Sequence, residues 1–365
     1  MTARPATAAG AAPLDTIVIG AGQAGLAAGY YLRRAGLAFA ILEAGSQPDG
    51  SWPRYYDSLR LFSPAAQSAL PGLPFPGDPA HYPTRDEVSA YLLRYAERWA
   101  LPVHVGAQAA QITRHDQAFE IITRQDVRYA ARSVIAATGT FARPYTPHLP
   151  GQDAFQGRLL HALHYQRPEP FHEQRVIVVG AGNSAVQIAI ELAPIAHVTL
   201  ATRRPIQLAP QELLGRNVFA WIALSGLDRL PAGHLGRIPD PRVVFDPGGY
   251  RAALKAGRPD RQPMFRSFTA DGVIWPTGRH EAVDTVIFAT GYRPNLDYLA
   301  PLGALDARGE PRQRAGRSTT TPGLYYLGLT GQRTFISGSL RGVGLDAAYV
   351  VRRILRYLRT GAAPR

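Results

Sequence analysis

Thr16-Ile17-Val18-Ile19-Gly20-Ala21-Gly22-Gln23-Ala24-Gly25 is a short apolar run that breaks into a G-x-G-x-x-G loop. The run reads as a parallel strand buried on both faces. Gly22 to Arg34 reads as a helix ended by Gly36, and Ala38 to Leu42 as the next strand, closed by Glu43. The stretch is therefore a β-α-β unit. Gly20 permits the tight turn, Gly22 lets backbone approach a pyrophosphate, and Gly25 lets helix and strand pack closely. The helix start turns free N–H groups and the positive end of its dipole toward the phosphates. Gln23 and Ala24 lie inside this loop, and Glu43, 23 residues after Gly20, would accept hydrogen bonds from an adenosine ribose.

The design returns in mid-chain. Val176-Ile177-Val178-Val179 leads into Gly180-Ala181-Gly182-Asn183-Ser184-Ala185, a helix is expected over Asn183 to Ala193, and Val198 to Ala201 is the next strand. Ala185 takes the third glycine's place, where only packing space is at stake. The residue 23 after Gly180 is Arg203, and Arg204 follows. A carboxylate there would repel a 2′-phosphate, whereas a guanidinium pairs with it. The two loops thus read as one site for FAD and one for NADPH, with NADH less favoured. The expected fold class is α/β, with two Rossmann-like dinucleotide-binding domains, the NADP domain (155–289) inserted into the FAD domain (14–154 and 290–365).

Between and beyond the loops the signals are weaker. Gly50 to Pro83 reads as a long ordered loop, and Thr84 with Glu87 as a capping box opening a helix that runs to about Ala100. Ile112 to Tyr129 suggests a small antiparallel set. Ser133 to Ala137 is a strand entering Thr138-Gly139, and Thr285 to Ala289 one entering Thr290-Gly291, where glycine lets backbone come close to a cofactor. Leu324 to Leu327 is a further strand. Gly338 to Gly344 is expected to precede a closing helix over Leu345 to Leu358 and to offer free N–H groups to the flavin. Residues 205–282 are rich in Pro and Gly, and no fold is read for them.

Composition bounds the function. The chain has 365 residues, 46% of them hydrophobic and 18% charged, which suits two globular domains. Residues 1–13 read as a disordered leader without the features of a signal peptide. No apolar stretch is long enough to span a bilayer, so a cytoplasmic location is expected. The absence of cysteine excludes disulfides, thiolate metal sites and a redox-active cysteine pair. His161 and His164 suggest no third ligand, so no metal is expected. The net charge is +13, but the basic residues are scattered arginines without interleaved aromatics, so neither nucleic acid nor membrane is expected as a partner. Monomer and homodimer both remain open.

Phe155-Gln156-Gly157-Arg158-Leu159-Leu160-His161-Ala162-Leu163-His164-Tyr165 fits F-x-G-x-x-x-H-x-x-x-Y, and Asp284 to Tyr292 fits D-x-x-x-F-A-T-G-Y. With Ala137-Thr138-Gly139 and Asp49-Gly50-Ser51-Trp52, these segments make the chain resemble the class B flavin-containing monooxygenases from about residue 14 to its end. Its length and Asp57 to Pro64 look most like the short bacterial members. The resemblance implies that Ser51 and Trp52 join the FAD site. It also implies an NADPH-dependent monooxygenase that oxygenates a soft nucleophile, a sulfide or an amine, through a C4a-hydroperoxyflavin formed with dioxygen. The difficult chemistry then belongs to the cofactor, which agrees with the lack of any triad or carboxylate pair.

Many members carry an Asn on the loop that here runs from Gly50 to Pro64; Phe62 or Ser63 stands in about its place. Phe62, Ser63, His161 and Tyr165 are therefore the catalytic candidates, although His161 and Tyr165 equally suit a bracing role between domains. Tyr165-Gln166 differs from the Baeyer–Villiger pattern, which makes that chemistry less favoured. An amine N-hydroxylase shares the Ala-Thr-Gly-Tyr segment. A flavin-binding protein without turnover is the alternative of another class.

Overall fold

Two mainly parallel sheets carry the chain, and each is built around one of the glycine loops. A computed structural model describes residues 12–141, 143–231 and 243–360; the expected leader lies outside the described residues except for Ala12 and Pro13.

In chain order, β1 (Leu14–Ile19), α1 (Gln23–Arg34) and β2 (Phe39–Leu42) form the first β-α-β unit. They are followed by α2 (Arg85–Arg98), β3 (Val103–His104), β4 (Ala109–His115), β5 (Ala118–Thr123), β6 (Arg128–Ala136) and β7 (Arg143–Pro144). Next come β8 (Arg158–His161), β9 (Arg175–Val179), α3 (Asn183–Leu192) and β10 (His197–Thr202). The long irregular region contains β11 (Leu208–Pro210), β12 (Glu212–Leu213), β13 (Arg216–Asn217), α4 (Val218–Ser225), β14 (Val244–Asp246) and α5 (Tyr250–Lys255). The chain continues through β15 (Asp260–Pro263), β16 (Ser267–Phe268), β17 (Gly272–Ile274), β18 (His280–Ala282), β19 (Thr285–Phe288) and β20 (Tyr292–Arg293). It closes with β21 (Gln313–Arg314), β22 (Arg317–Ser318), β23 (Leu324–Tyr326) and α6 (Leu340–Thr360).

The first sheet has the order β21-β22-β23-β6-β1-β2-β3, with β5 also on β6 and β4 on β5. The second has the order β15-β10-β9-β19-β8, all parallel. Both central strands are buried on both faces. On β1, Val18 packs under α1, α2 and α6, while Ile17 and Ile19 enter a second core with Phe119 and Leu299. On β9, Val176 and Val178 pack under α3, and Ile177 and Val179 pack against Trp275 and Phe265. This two-sided burial explains why both strands read as unbroken apolar runs.

The capping box on α2 forms as expected: Glu87 N–H donates to the Thr84 hydroxyl at 3.3 Å, and Thr84 N–H to the Glu87 carboxylate at 2.8 Å. The closing helix departs from expectation by starting at Leu340, five residues before Leu345. Gly342 and Gly344 lie inside its first turns. A Cβ on Gly342 would sit 1.9 Å from the Ile336 carbonyl oxygen, and one on Gly344 would sit 2.8 Å from the Pro71 ring. These glycines let the helix start pack tightly; they do not mark a loop.

The chain crosses between the sheets twice. β6 runs through Ala137-Thr138-Gly139 into β7, and β19 runs through Ala289-Thr290-Gly291 into β20. β7 and β20 then pair antiparallel, Tyr292 opposite Pro144 and Arg293 opposite Arg143. The two crossings form one ribbon.

Candidate active site

Both glycine loops are locked in the same way. Gly20 has φ +102°, and a Cβ there would lie 2.8 Å from the Ala137 carbonyl oxygen. Gly180 has φ +148°, and a Cβ there would lie 2.5 Å from the Ala289 carbonyl oxygen. Each first glycine thus sits on the Ala-Thr-Gly end of its neighbouring strand. Gly25 passes so near Gly20 that a Cβ would stand 1.8 Å from the Gly20 oxygen. In the second loop Ala185 is tolerated, its Cβ 3.0 Å from the position a Cβ on Gly180 would take.

Neither α1 nor α3 has a side-chain cap at its N-terminal Gly22 or Gly182. The first N–H groups of both helices therefore remain available to a phosphate. The space above Gly182 is open. Above Gly22 lies Gly50, whose φ of +66° and lack of Cβ allow its backbone within reach. These cradles fit a pyrophosphate each.

Glu43, almost fully buried, accepts from Ala21 N–H at 2.6 Å and Gly45 N–H at 2.7 Å, so it also shapes the turn it was expected to serve only as a ribose acceptor. Gln23 donates to the Gly338 carbonyl at 2.6 Å, joining the first loop to the start of α6. Ala24 lies under Gly328, where a Cβ would come within 2.8 Å of its own. Ser51 meets the Tyr55 hydroxyl at 3.3 Å, and half-buried Trp52 packs on the core beneath α1. At the second loop the Asn183 amide is spent on β14, donating to the Val243 carbonyl and accepting from Phe245 N–H, both at 3.3 Å. Ser184 is within reach of the buried Tyr56 hydroxyl. Arg203 and Arg204 are exposed at the end of β10 and have no hydrogen-bond or ion-pair partner among the described residues. Thr138 Oγ1 donates to the Asn295 carbonyl, and Thr290 Oγ1 to the Tyr145 carbonyl, so both threonines hold hinge backbone; Gly139 and Gly291 keep φ at +68° and +85°.

Two catalytic candidates make contacts that suit the bracing role. His161 is buried, with Nε2 3.0 Å from the Gly291 carbonyl and Nδ1 accepting from Leu163 N–H, and burial lowers its pKa. Tyr165 has no exposed surface, and its hydroxyl donates to Glu191 at 2.8 Å. Burial and the Glu191 carboxylate together push that hydroxyl far above the usual tyrosine range. Ser63 is tied to Ser68 at 2.9 Å.

Phe62 stands apart. Its ring lies 5.5 Å from both Phe219 of α4 and Phe245 of β14, and Gln211 Nε2 fixes its carbonyl at 2.7 Å. With Tyr82, Gln187, Glu191 and Tyr250 it lines a cleft of about 280 Å³ along the outer face of α3. The sequence points to a pocket lined by the Gly50–Pro83 loop and residues 205–282, and this cleft draws on both; of its aromatic wall only Phe62 is a candidate in the sequence, because Phe245 and Tyr250 fall in the weakly periodic 205–282 region. A larger cleft of about 520 Å³ lies at the N-terminal ends of β9 and β10, beside Arg175 and His197. In open α/β sheets ligands bind at the opposite, carboxyl ends of the strands.

Residues 17–223 match the family model of the pyridine nucleotide-disulphide oxidoreductases. The chain is 34% identical to the uncharacterized oxidoreductase CzcO-like of Geobacillus kaustophilus, over 94% of this chain and 99% of the relative. It is 27% identical to the indole-3-pyruvate monooxygenase YUCCA4 of rice, over 94% of this chain and 87% of that one. The structure matches the flavin-containing monooxygenase of Stenotrophomonas maltophilia with a TM-score of 0.84 at 32% identity, over 95% of this chain and 99% of that one. Because the sequence contains no cysteine, this chain has no redox-active cysteine pair of its own.

Proposed function

We propose that this chain, which belongs to the flavin monooxygenase family and works with that family's FAD and NADPH, transfers one oxygen atom of dioxygen to a soft nucleophile, a sulfide or an amine. The FAD that the first loop would hold would supply hydride acceptance from NADPH and activation of dioxygen, with one oxygen atom going to the substrate and the other, with the hydride and a proton, to water. The observation that carries this reading is the pair of loops, alike in build and opposite in charge. Glu43 stands behind the first, and Arg203 and Arg204, unpaired among the described residues, stand beside the second.

In this reading Gly20, Gly22, Gln23, Ala24, Gly25, Glu43, Ser51, Trp52, Thr138 and Gly139 hold FAD. Gly180, Gly182, Asn183, Ser184, Ala185, Arg203, Arg204, Thr290 and Gly291 hold NADPH. Arg203 and Arg204 select NADPH by pairing with its 2′-phosphate. The ribbon of β7 and β20 holds the two sites in register, and His161 stiffens it through the Gly291 carbonyl. Phe62 and Phe245 supply an apolar wall that keeps water away and receives the carbon part of the substrate. The same cleft is lined by one acid, Glu191, and one cation, Arg60, so its charges do not by themselves select against a neutral substrate.

The test is an assay of purified enzyme with NADPH and a panel of thioethers, amines, ketones and 2-oxo acids. Oxygenated thioether or amine should accumulate in step with NADPH consumed. The reading fails if hydrogen peroxide accounts for all the NADPH with every thioether and amine. It also fails if only ketones or 2-oxo acids are turned over. The last arm is included because the rice relative is named for indole-3-pyruvate.

A further inference from the structure

The segment from Glu212 to Leu230 leaves most of its large apolar side chains exposed. The hairpin of β12 and β13 projects Leu213 and Leu214 at its tip, and α4 follows without a break. The helix, Val-Phe-Ala-Trp-Ile-Ala-Leu-Ser, has no charged residue and none that is buried. Among the described residues nine large hydrophobic side chains are exposed, and six of them, Leu213, Leu214, Trp221, Leu224, Leu227 and Leu230, lie in this segment. So strong a clustering marks an interaction surface and does not match scattered surface leucines.

The hairpin tip carries a second, independent sign. Leu214 is 84% exposed and sits at φ +50°, a left-handed position that a leucine adopts only at a cost. Glycine or asparagine would serve that turn better in water. The tip therefore retains a large apolar side chain against both solvation and backbone preference.

The patch is held rigidly. Trp221 Nε1 donates to the Leu213 carbonyl at 2.8 Å, clamping hairpin to helix. Just beyond the helix, the fully buried Asp228 pairs with Arg341 of α6 at 2.6 Å, tying the segment to the other sheet's layer. On the inner side Phe219 packs against Phe62, which lines the cleft.

Charge decides what could cover the face. Arg216 reaches over the Trp221 ring at 5.7 Å, and exposed Arg229 follows the helix. Asn217, which caps α4, donates to the Tyr82 hydroxyl. Within the segment the exposed charged residues are Arg216, Arg229 and the single acid Glu212, while Asp228 is buried and paired. Scattered along the sequence the arginines suggest no anionic partner, but two of them flank this apolar face. A second copy docked face to face would bring like charges together. A helix of eight residues, about 12 Å long, is far too short to cross a bilayer about 30 Å thick. An apolar face with a tryptophan and an arginine rim suits the plane of an anionic bilayer.

We propose that the hairpin tip and α4 dock this enzyme on an anionic lipid surface, with Leu213, Leu214 and Leu224 entering the acyl boundary and Arg216 and Arg229 meeting the head groups. The docked face backs the aromatic cleft, so an apolar substrate dissolved in the bilayer would have a short way in.

The FAD-loaded enzyme is sedimented with phosphatidylcholine vesicles, with and without phosphatidylglycerol. It should pellet several-fold more with the anionic vesicles, and added salt should weaken this. A Leu214→Asp, Leu224→Asp double variant should bind about tenfold less while keeping its flavin and its rate of NADPH oxidation. Arg216→Glu with Arg229→Glu should remove the preference for the anionic lipid. The proposal is overturned if the wild-type enzyme ignores lipid charge, or if the leucine variant binds as well as wild type. It is likewise overturned if sedimentation velocity shows a wild-type dimer that does not pellet with vesicles and that the leucine variant splits. None of these outcomes depends on which substrate is oxygenated.

Discussion

Glu43 and Arg203 occupy the same offset from their glycine loops, yet they stand in different surroundings. Glu43 is almost closed off and already serves two backbone N–H groups, whereas Arg203 is open and unpaired among the described residues. Arg203→Glu should therefore raise the KM for NADPH about tenfold or more and leave that for NADH nearly unchanged, since only the 2′-phosphate contact is lost. Steady-state kinetics with both cofactors check this, and an equal rise in both KM values would argue against the assignment. Gly25→Ala should act through space alone, because the new Cβ would stand 1.8 Å from the Gly20 oxygen. The loop must open, and the protein should purify with little flavin, as read from the visible absorbance per chain. Gly249→Ala, outside both loops and with nothing within 4 Å of the new Cβ, serves as the control.

Among the elements, the start of β19 shows what a motif residue does. Asp284 takes Arg175 N–H at 2.8 Å, Nε at 3.0 Å and Nη2 at 2.5 Å, and its carbonyl takes Arg158 N–H at 2.9 Å. One residue thus aligns β8, β9 and β19 at their entry ends, far from the loops. Hydrogen bonds from Arg175 hold its carboxyl below the usual aspartate range. A depressed pKa means that the stabilisation is fully present above the unfolded value, near pH 4, and is lost as pH falls through the folded one. Asp284→Asn should lower the melting temperature at neutral pH and narrow the gap to wild type as pH drops below about 4. A gap independent of pH, measured by thermal melts across that range, would assign the role to packing alone. The F-x-G-x-x-x-H-x-x-x-Y segment is explained in the same way. Phe155 enters the core with Phe268. Gly157 allows the Phe155 ring and the Asp284 carbonyl to close in, since a Cβ would meet them at 2.3 and 2.7 Å. His161 and Tyr165 brace the hinge and α3. Its regular spacing follows from one strand and the turn after it, and no residue in it must touch substrate.

For the whole molecule, the two sheets are joined by the β7–β20 ribbon and by the Asp228–Arg341 pair between the α4 region and α6. Arg341→Gln would leave a fully buried carboxylate without its cation. Breaking such a pair costs about 3 kcal/mol, which should appear as a lowered denaturation midpoint. A midpoint equal to wild type would show that the link carries no weight. The sequence by itself determined the two β-α-β units, their order and the opposite charge, Glu43 against Arg203, at the same offset from their loops. Each depends on a local strand, loop and helix, and on an offset measured along one continuous stretch, so short-range pattern suffices. It also showed the capping box on α2, and it located the hinges as Ala-Thr-Gly repeats without revealing that they pair. Only the tertiary structure decided the rest. The wall of the cleft is assembled from Phe62 and Phe245, with Phe219 packed against both, residues that lie far apart in chain segments without periodicity. The exposed face around Trp221 was invisible for a related reason. An apolar helix reads the same in sequence whether it is buried or bare, and only the packing of every other element shows that nothing among the described residues covers it.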